Sequence, residues 1–224
     1  VTFEPGVILG YSTEKGYYAV PHIYENGEFI VTVSEGHKLV HRTDQITFDD
    51  IQGSIFQEEI EYLASRFVIK GYDNAAFRPD EKITRGQFAA LISRALDLKP
   101  SKQTTFNDAF YSSFRDDIQA VYESGIMRGY ADTKFGINDP LTREQAAATM
   151  ARVLEYMDYE AKRNLVYFKD KNEINPEFVK QIELLNTLDI MSGYGDGLFK
   201  PKDYLTRGQL AKILQRTLKL TNVM

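Results

Sequence analysis

The chain has no cysteine and no tryptophan among its 224 residues, and only three histidines. Without cysteine there are no disulfides, no thiolate metal sites and no cysteine nucleophile. The histidines, His22, His37 and His41, all fall near the start, and no nucleophile signal such as G-x-S-x-G accompanies them. His37 and His41 stand four apart, but in a stretch that reads as strand or turn rather than the helix a metal pair needs. Asp170-x-Asn172 opens like a calcium loop and then lacks the required glycine and terminal glutamate. The sequence therefore assigns no catalytic residue, no metal and no cofactor, and the expectation is a non-enzyme. No apolar run reaches the length of a membrane span. A net charge of −5 argues against a nucleic-acid surface, which is usually basic. The chain begins with Val1 and shows no signal-peptide pattern, so it reads as a fragment or a processed product with further domains upstream.

What the chain does have is a hydrophobic content of 43%, enough for a core, and a pattern that occurs three times. It reads Gly71-Tyr72…Phe77…Thr84-Arg85, Gly129-Tyr130…Phe135…Thr142-Arg143 and Gly193-Tyr194…Phe199…Thr206-Arg207, with both internal intervals kept. Upstream of each stands Phe-x-Asp: Phe48 and Asp50, Phe106 and Asp108, Phe168 and Asp170. Thr84 to Thr142 is 58 residues and Thr142 to Thr206 is 64. Self-similarity at so long a period marks a repeat architecture.

Residues 1–45 differ from the rest. Residues 17–20 with 22–24, then 29–33, read as two strands joined by an Asn26-Gly27 hairpin turn, with Ser34-Glu35-Gly36 a second turn and residues 38–41 a third strand. This β-rich leader is either the end of an upstream domain or a small sheet docked on the repeats. The repeats are placed at 46–98, 104–156 and 166–224, each with two helices. Ile60, Leu63 and Phe67 fit the first helix of the first copy, matched by Ile118 and Val121 and by Ile182 and Leu185. Asn175-Pro176 marks the helix start in the third copy. Phe88, Leu91, Ile92 and Ala95 fit the second helix, matched by Ala146, Met150 and Val153 and by Leu210, Ile213 and Leu214. The linker at 155–166 is expected to extend the helix before it.

Thr84…Gln87, Thr142…Gln145 and Thr206…Gln209 are capping boxes, which account for Thr and Gln structurally. The arginines need another explanation, because a cation in the first turn opposes the helix dipole. Two answers stay open. One is a buried carboxylate such as Asp50, Asp108 or Asp170. The other is an external anion, drawn by exposed helix-start N–H groups and gripped by the guanidinium. Gly71, Gly129 and Gly193 read as left-handed ends of the first helix, with the following tyrosine folding back on the last turn or offering a flat face to a sugar. Phe77, Phe135 and Phe199 read as core plugs.

Phe-x-Asp, a helix, Gly-Tyr, Phe-x-Pro and Thr-Arg at these spacings resemble the S-layer homology repeat over residues 48 to about 220. The resemblance implies a mainly α fold: three helix-pair repeats in a pseudo-threefold arrangement around a central helical bundle. It implies a secreted bacterial surface protein, held non-covalently in the cell wall or S-layer. The partner implied is a secondary cell-wall polysaccharide, an anionic glycan bound in grooves between repeats, commonly through pyruvylated N-acetylmannosamine. Carried over by position, the glycan-binding residues would be Arg85, Arg143, Arg207, Gly71, Tyr72, Gly129, Tyr130, Gly193, Tyr194, Asp50, Asp108 and Asp170. The alternative function is a self-assembling or protein-docking scaffold that binds no glycan. Two departures from the family pattern stand out. Gly-Gln or Glu-Gln follows Thr-Arg where the family usually has Ala-Glu. The tryptophan often found early in the first helix is absent, and Ile55 or Phe56, Phe110 or Tyr111, and Phe178 occupy that neighbourhood.

Overall fold

The computed structural model describes residues 8–13, 16–20, 22–25, 28–31, 38–42 and 46–222. Six α-helices carry the repeats: α1 (Gln57–Ser65) and α2 (Arg85–Ala95), α3 (Arg115–Glu123) and α4 (Arg143–Tyr156), α5 (Val179–Thr187) and α6 (Arg207–Leu220). The fold is mainly α with a small β region, as the resemblance implies. Every apolar residue assigned above to a helix stripe is buried, and all but Phe67 belong to one continuous core. Capping boxes start α2, α4 and α6, with Thr84, Thr142 and Thr206 accepting from the backbone N–H of Gln87, Gln145 and Gln209.

The packed pairs join neighbouring repeats. α2 lies against α3, α4 against α5, and α6 returns to α1. A repeat alone would leave both of its apolar stripes in water, and closing the ring buries all six. At the centre, Ile83 N–H donates to the Leu205 carbonyl, Leu205 to Leu141 and Leu141 to Ile83, each at 3.0 Å. These three residues immediately precede the capping threonines and are fully buried. A closed cycle of three equivalent hydrogen bonds defines the pseudo-threefold axis.

Two sequence readings need correction. The first helices do not end at the Gly-Tyr glycines. The left-handed residues are Phe67 (φ 64°), Gly125 (φ 76°) and Asp189 (φ 53°), each four residues earlier. Val68 N–H then bonds back to the Leu63 carbonyl at 3.0 Å and Ile190 to Leu185 at 2.9 Å, the pattern of a left-handed helix end. Phe67 therefore lies beyond α1, although its spacing fits the stripe. The linker after the second repeat is also not helical, since Asp158 at φ 52° ends α4 and residues 159–168 are irregular.

Among the described residues the leader contains five strands: β1 (Ile8–Thr13), β2 (Gly16–Ala19), β3 (His22–Glu25), β4 (Glu28–Val31) and β5 (Lys38–Arg42). β1, which the sequence reading missed, is the centre of an antiparallel sheet of order β2-β1-β5. β3 and β4 pair separately with Glu25 opposite Glu28; the Asn26-Gly27 turn and residues 34–36 lie outside the described residues. The three-stranded sheet is docked on the first repeat. Tyr17 stacks on Phe67 at 5.7 Å, and the Tyr11 hydroxyl donates to Asp97 at 2.7 Å. Phe67 is a bulky residue in a conformation that favours glycine, and its ring lies where a Cβ on Gly10 would stand, 2.4 Å away.

Candidate functional site: three grooves at the repeat junctions

Phe-x-Asp and Gly-Tyr are two halves of one device. A Cβ on Gly71, Gly129 or Gly193 would lie 2.3, 2.5 or 2.6 Å from the ring of Phe48, Phe106 or Phe168 respectively. Those rings pack in turn on Phe77, Phe135 and Phe199 with centroids 5.6, 5.4 and 5.2 Å apart. The glycine is thus required by a close approach rather than by its torsion angle. The aspartates tie the far side of the same loop. Asp50 accepts from the backbone N–H of Phe77 and Arg78, Asp108 from Phe135, Gly136 and Ile137, and Asp170 from Phe199 and Lys200, at 2.6 to 3.1 Å. Burial acts to raise the Asp108 carboxyl, but the three N–H donors hold it below the usual carboxylate value. None of the three aspartates lines a groove.

The arginines cross from one repeat to the next. Arg85 donates from Nε to the Phe135 carbonyl at 3.1 Å and from Nη2 to Arg128 at 2.8 Å. Arg143 repeats this on Phe199 at 2.8 Å and Ser192 at 2.9 Å. Arg207 closes the cycle on Phe77 at 2.8 Å and, more loosely, on Lys70 at 3.5 Å. Each guanidinium lies over the tyrosine of the loop it grips: Tyr130 at 4.4 Å, Tyr194 at 4.7 Å and Tyr72 at 5.0 Å. This answers the question of compensation at the helix start. Among the described residues no carboxylate forms a salt bridge with these arginines; carbonyl dipoles and ring faces of the next repeat take that place.

The helix-start N–H groups are taken as well. Arg85 N–H donates to the Asp139 carbonyl and Gly86 to Ile137; Arg143 and Glu144 donate to Asp203 and Pro201; Arg207 and Gly208 donate to Glu81 and Pro79. With the capping box satisfying the other two donors, no backbone group is left for an external anion. That part of the anion reading is overturned. The guanidinium itself still reaches a cavity. Arg85, Arg143 and Arg207 are only 6%, 5% and 9% exposed, yet each lines a groove, with Nη1 not engaged in any hydrogen bond among the described residues.

Three grooves follow, each assembled from all three repeats. The first, about 220 Å³, sets Arg207 of repeat 3 beside Lys70, Tyr72 and Arg94 of repeat 1 and Phe114 of repeat 2. The second, about 160 Å³, sets Arg85 beside Arg128, Tyr130 and Arg152, with Phe178 as its far wall. The third, about 270 Å³, sets Arg143 beside Ser192, Lys212 and Arg216, with Phe56 opposite. Phe56, Phe114 and Phe178 are the residues before α1, α3 and α5. They occupy the aromatic neighbourhood where the family often carries tryptophan. In the second repeat the residue is Phe114, not Phe110 or Tyr111, and Tyr111 is 95% exposed. Gln87, Gln145 and Gln209 also line the grooves. Their Oε1 atoms accept from the capping threonine N–H, so Nε2 remains as a neutral donor on the groove side.

The sequence reading missed Arg94, Arg152 and Arg216. They stand nine residues after the Thr-Arg arginines, and that fixed interval was visible in the chain. All three are half-buried on α2, α4 and α6.

A family model for the S-layer homology domain matches residues 47–89, 105–147 and 167–211. Among similar proteins, an endoglucanase from Bacillus sp. (strain KSM-635) is 31% identical over 79% of this chain and 19% of its own length. The surface-layer 125 kDa protein of Lysinibacillus sphaericus is 28% identical over 77% of this chain and 15% of its own. A cellulosome-anchoring protein from Acetivibrio thermocellus is 24% identical over 67% of this chain and 35% of its own. The chain spans only a minor part of these relatives, so the match to an endoglucanase leaves most of that enzyme untouched. With the three matched segments covering more than half of its length, the chain belongs to the S-layer homology domain family, in three tandem copies.

Proposed function

We propose that this chain anchors the protein it is part of to the bacterial cell surface, by gripping an acidic wall polysaccharide in the grooves between repeats. The observation that carries this reading is the groove itself. Three cationic side chains from two repeats converge beside an aromatic wall from the third, with a guanidinium nitrogen left free. An acidic sugar fits that set: guanidinium groups take the carboxylate, and tyrosine and phenylalanine faces take the apolar side of the ring. Anchoring agrees with relatives named as surface-layer and cellulosome-anchoring proteins. In this reading the chain is a non-catalytic anchoring module, as expected of the family it belongs to.

The glycan proposed is one bearing pyruvylated N-acetylmannosamine, with Arg85, Arg143 and Arg207 at the floor; Tyr72 and Tyr130 line the first and second grooves, whereas Gly129, Gly193 and Tyr194 line none. The aspartates serve by holding those loops. The test is co-sedimentation of the chain with purified cell walls, before and after mild acid removal of pyruvyl groups. Binding should be strong at low salt, weaken as ionic strength rises, and disappear with the acidic groups. Equal binding to intact and depyruvylated walls would overturn the glycan assignment. Ordered self-assembly in solution with no wall binding would favour a scaffold instead.

A further inference from the structure

The three grooves share a plan, but their charge is balanced differently. On the first helix facing each groove, one half-buried position repeats at the period of the chain: Glu59, Asp117 and Gln181. In the first groove Asp117 lies 3.8 Å from Arg94. In the third, Glu59 lies 3.6 Å from Lys212, and Asp189 lies 3.4 Å from Arg216. Beside the second groove the same position is a neutral amide, Gln181, which shares an adjoining cavity with Arg152, Glu155, Asp158 and Glu160. Its Oε1 is buried and has no hydrogen-bond partner among the described residues.

The consequence falls on Arg152. It donates from Nη1 to the Ile126 carbonyl at 3.4 Å, and no carboxylate reaches Arg85, Arg128 or Arg152 within salt-bridge distance among the described residues. Glu155 and Glu177 act on Arg152 only from a distance, and both are exposed. Burial lowers the Arg152 guanidinium from its ordinary value, and the charge of Arg128 lowers it further. An anion placed among the three arginines would relieve that repulsion, whereas in the other two grooves it would have to displace a carboxylate already in place.

We propose that the second groove, with Arg85, Arg128 and Arg152 and without an acidic counterpart at Gln181, is the groove that selects the acidic sugar. This rests on the wall-glycan reading above and names which groove serves it. The single residue that sets the choice is Gln181, because it leaves Arg152 without the carboxylate that Asp117 and Glu59 hold against Arg94 and Lys212.

Co-sedimentation with purified cell walls, across a protein titration, tests this directly. Gln181→Glu installs the missing counterion and should weaken wall binding at least about tenfold, with circular dichroism unchanged. Arg152→Gln should weaken it similarly without adding a buried acid, which guards against a folding defect in the first variant. Asp117→Asn should instead strengthen binding several-fold, by freeing Arg94 in the first groove. Gln181→Glu and Arg152→Gln both binding like the unaltered chain would overturn the groove assignment while leaving wall anchoring intact. Failure of the unaltered chain to bind walls at all would overturn both.

Discussion

The floor and the wall of these grooves follow different rules. The floor consists of Phe-x-Asp, Gly-Tyr, the buried phenylalanine and the Thr-Arg arginine, and it is built the same way three times, down to which carbonyl each Nε meets. The wall varies from copy to copy: Lys70, Arg128 and Ser192 on the loop, and Glu59, Asp117 and Gln181 on the facing helix. What repeats identically is what closes the ring. What varies is where one groove can be made to differ from another in the ligand it accepts.

The comparison is tested most severely at its floor. Phe135→Ala should cost about 3–5 kcal/mol, because a fully buried ring leaves a cavity under the second loop. Phe77→Ala and Phe199→Ala should cost about the same, measured by denaturant unfolding. A much smaller loss at one of them would break the equivalence of the three floors. Gly129→Ala forces a Cβ onto Phe106 and onto the carbonyls of Ala131 and Lys134, and should cost about 1–3 kcal/mol.

Asp108 offers a test through pH. Its carboxyl is held low in the folded chain, so the stability it contributes is present above the unfolded value near 4 and is lost as pH falls through the folded value. Asp108→Asn should lower stability at pH 7 by no more than about 1 kcal/mol, since the carboxylate is exposed and the amide keeps one acceptor, and should flatten the decline below about pH 4. Parallel pH profiles for the two proteins would show that its three N–H bonds contribute no stability. At the wall the stability effects should be smallest. Arg94→Gln, Arg152→Gln and Arg216→Gln should each change stability by less than about 1 kcal/mol, since the ion pairs they lose are partly exposed or absent.

The same division decides how much of this protein could be read from its chain. The repeats, both helices of each, the capping boxes and the core phenylalanines were legible, because each is a local pattern or an interval that recurs. The role of the Gly-Tyr glycine was not. Its reason is the ring of Phe48, Phe106 or Phe168, more than twenty residues away, and short-range rules instead suggested a helix end. The true helix ends lie at Phe67, Gly125 and Asp189, and because the first of them is a bulky aromatic, no common residue type marked the three copies. β1 was missed because strand patterning is weak in Ile8–Thr13 and one of its two partners, β5, lies far along the chain, beyond β2, β3 and β4. Arginine in the first turn was recognised as needing a partner, but the partner belongs to the next repeat, and no single copy contains it. Arg94, Arg152 and Arg216 were legible by interval and overlooked, since a lone arginine on a helix ordinarily faces solvent.

A chain carrying Arg94→Gln, Arg152→Gln and Arg216→Gln together separates floor from wall in one comparison. Wall binding, followed by co-sedimentation with purified cell walls, should fall at least tenfold, while the thermal midpoint stays close to that of the unaltered chain. Undiminished binding by the triple variant, with the fold intact, would mean that the grooves are not where the wall is held.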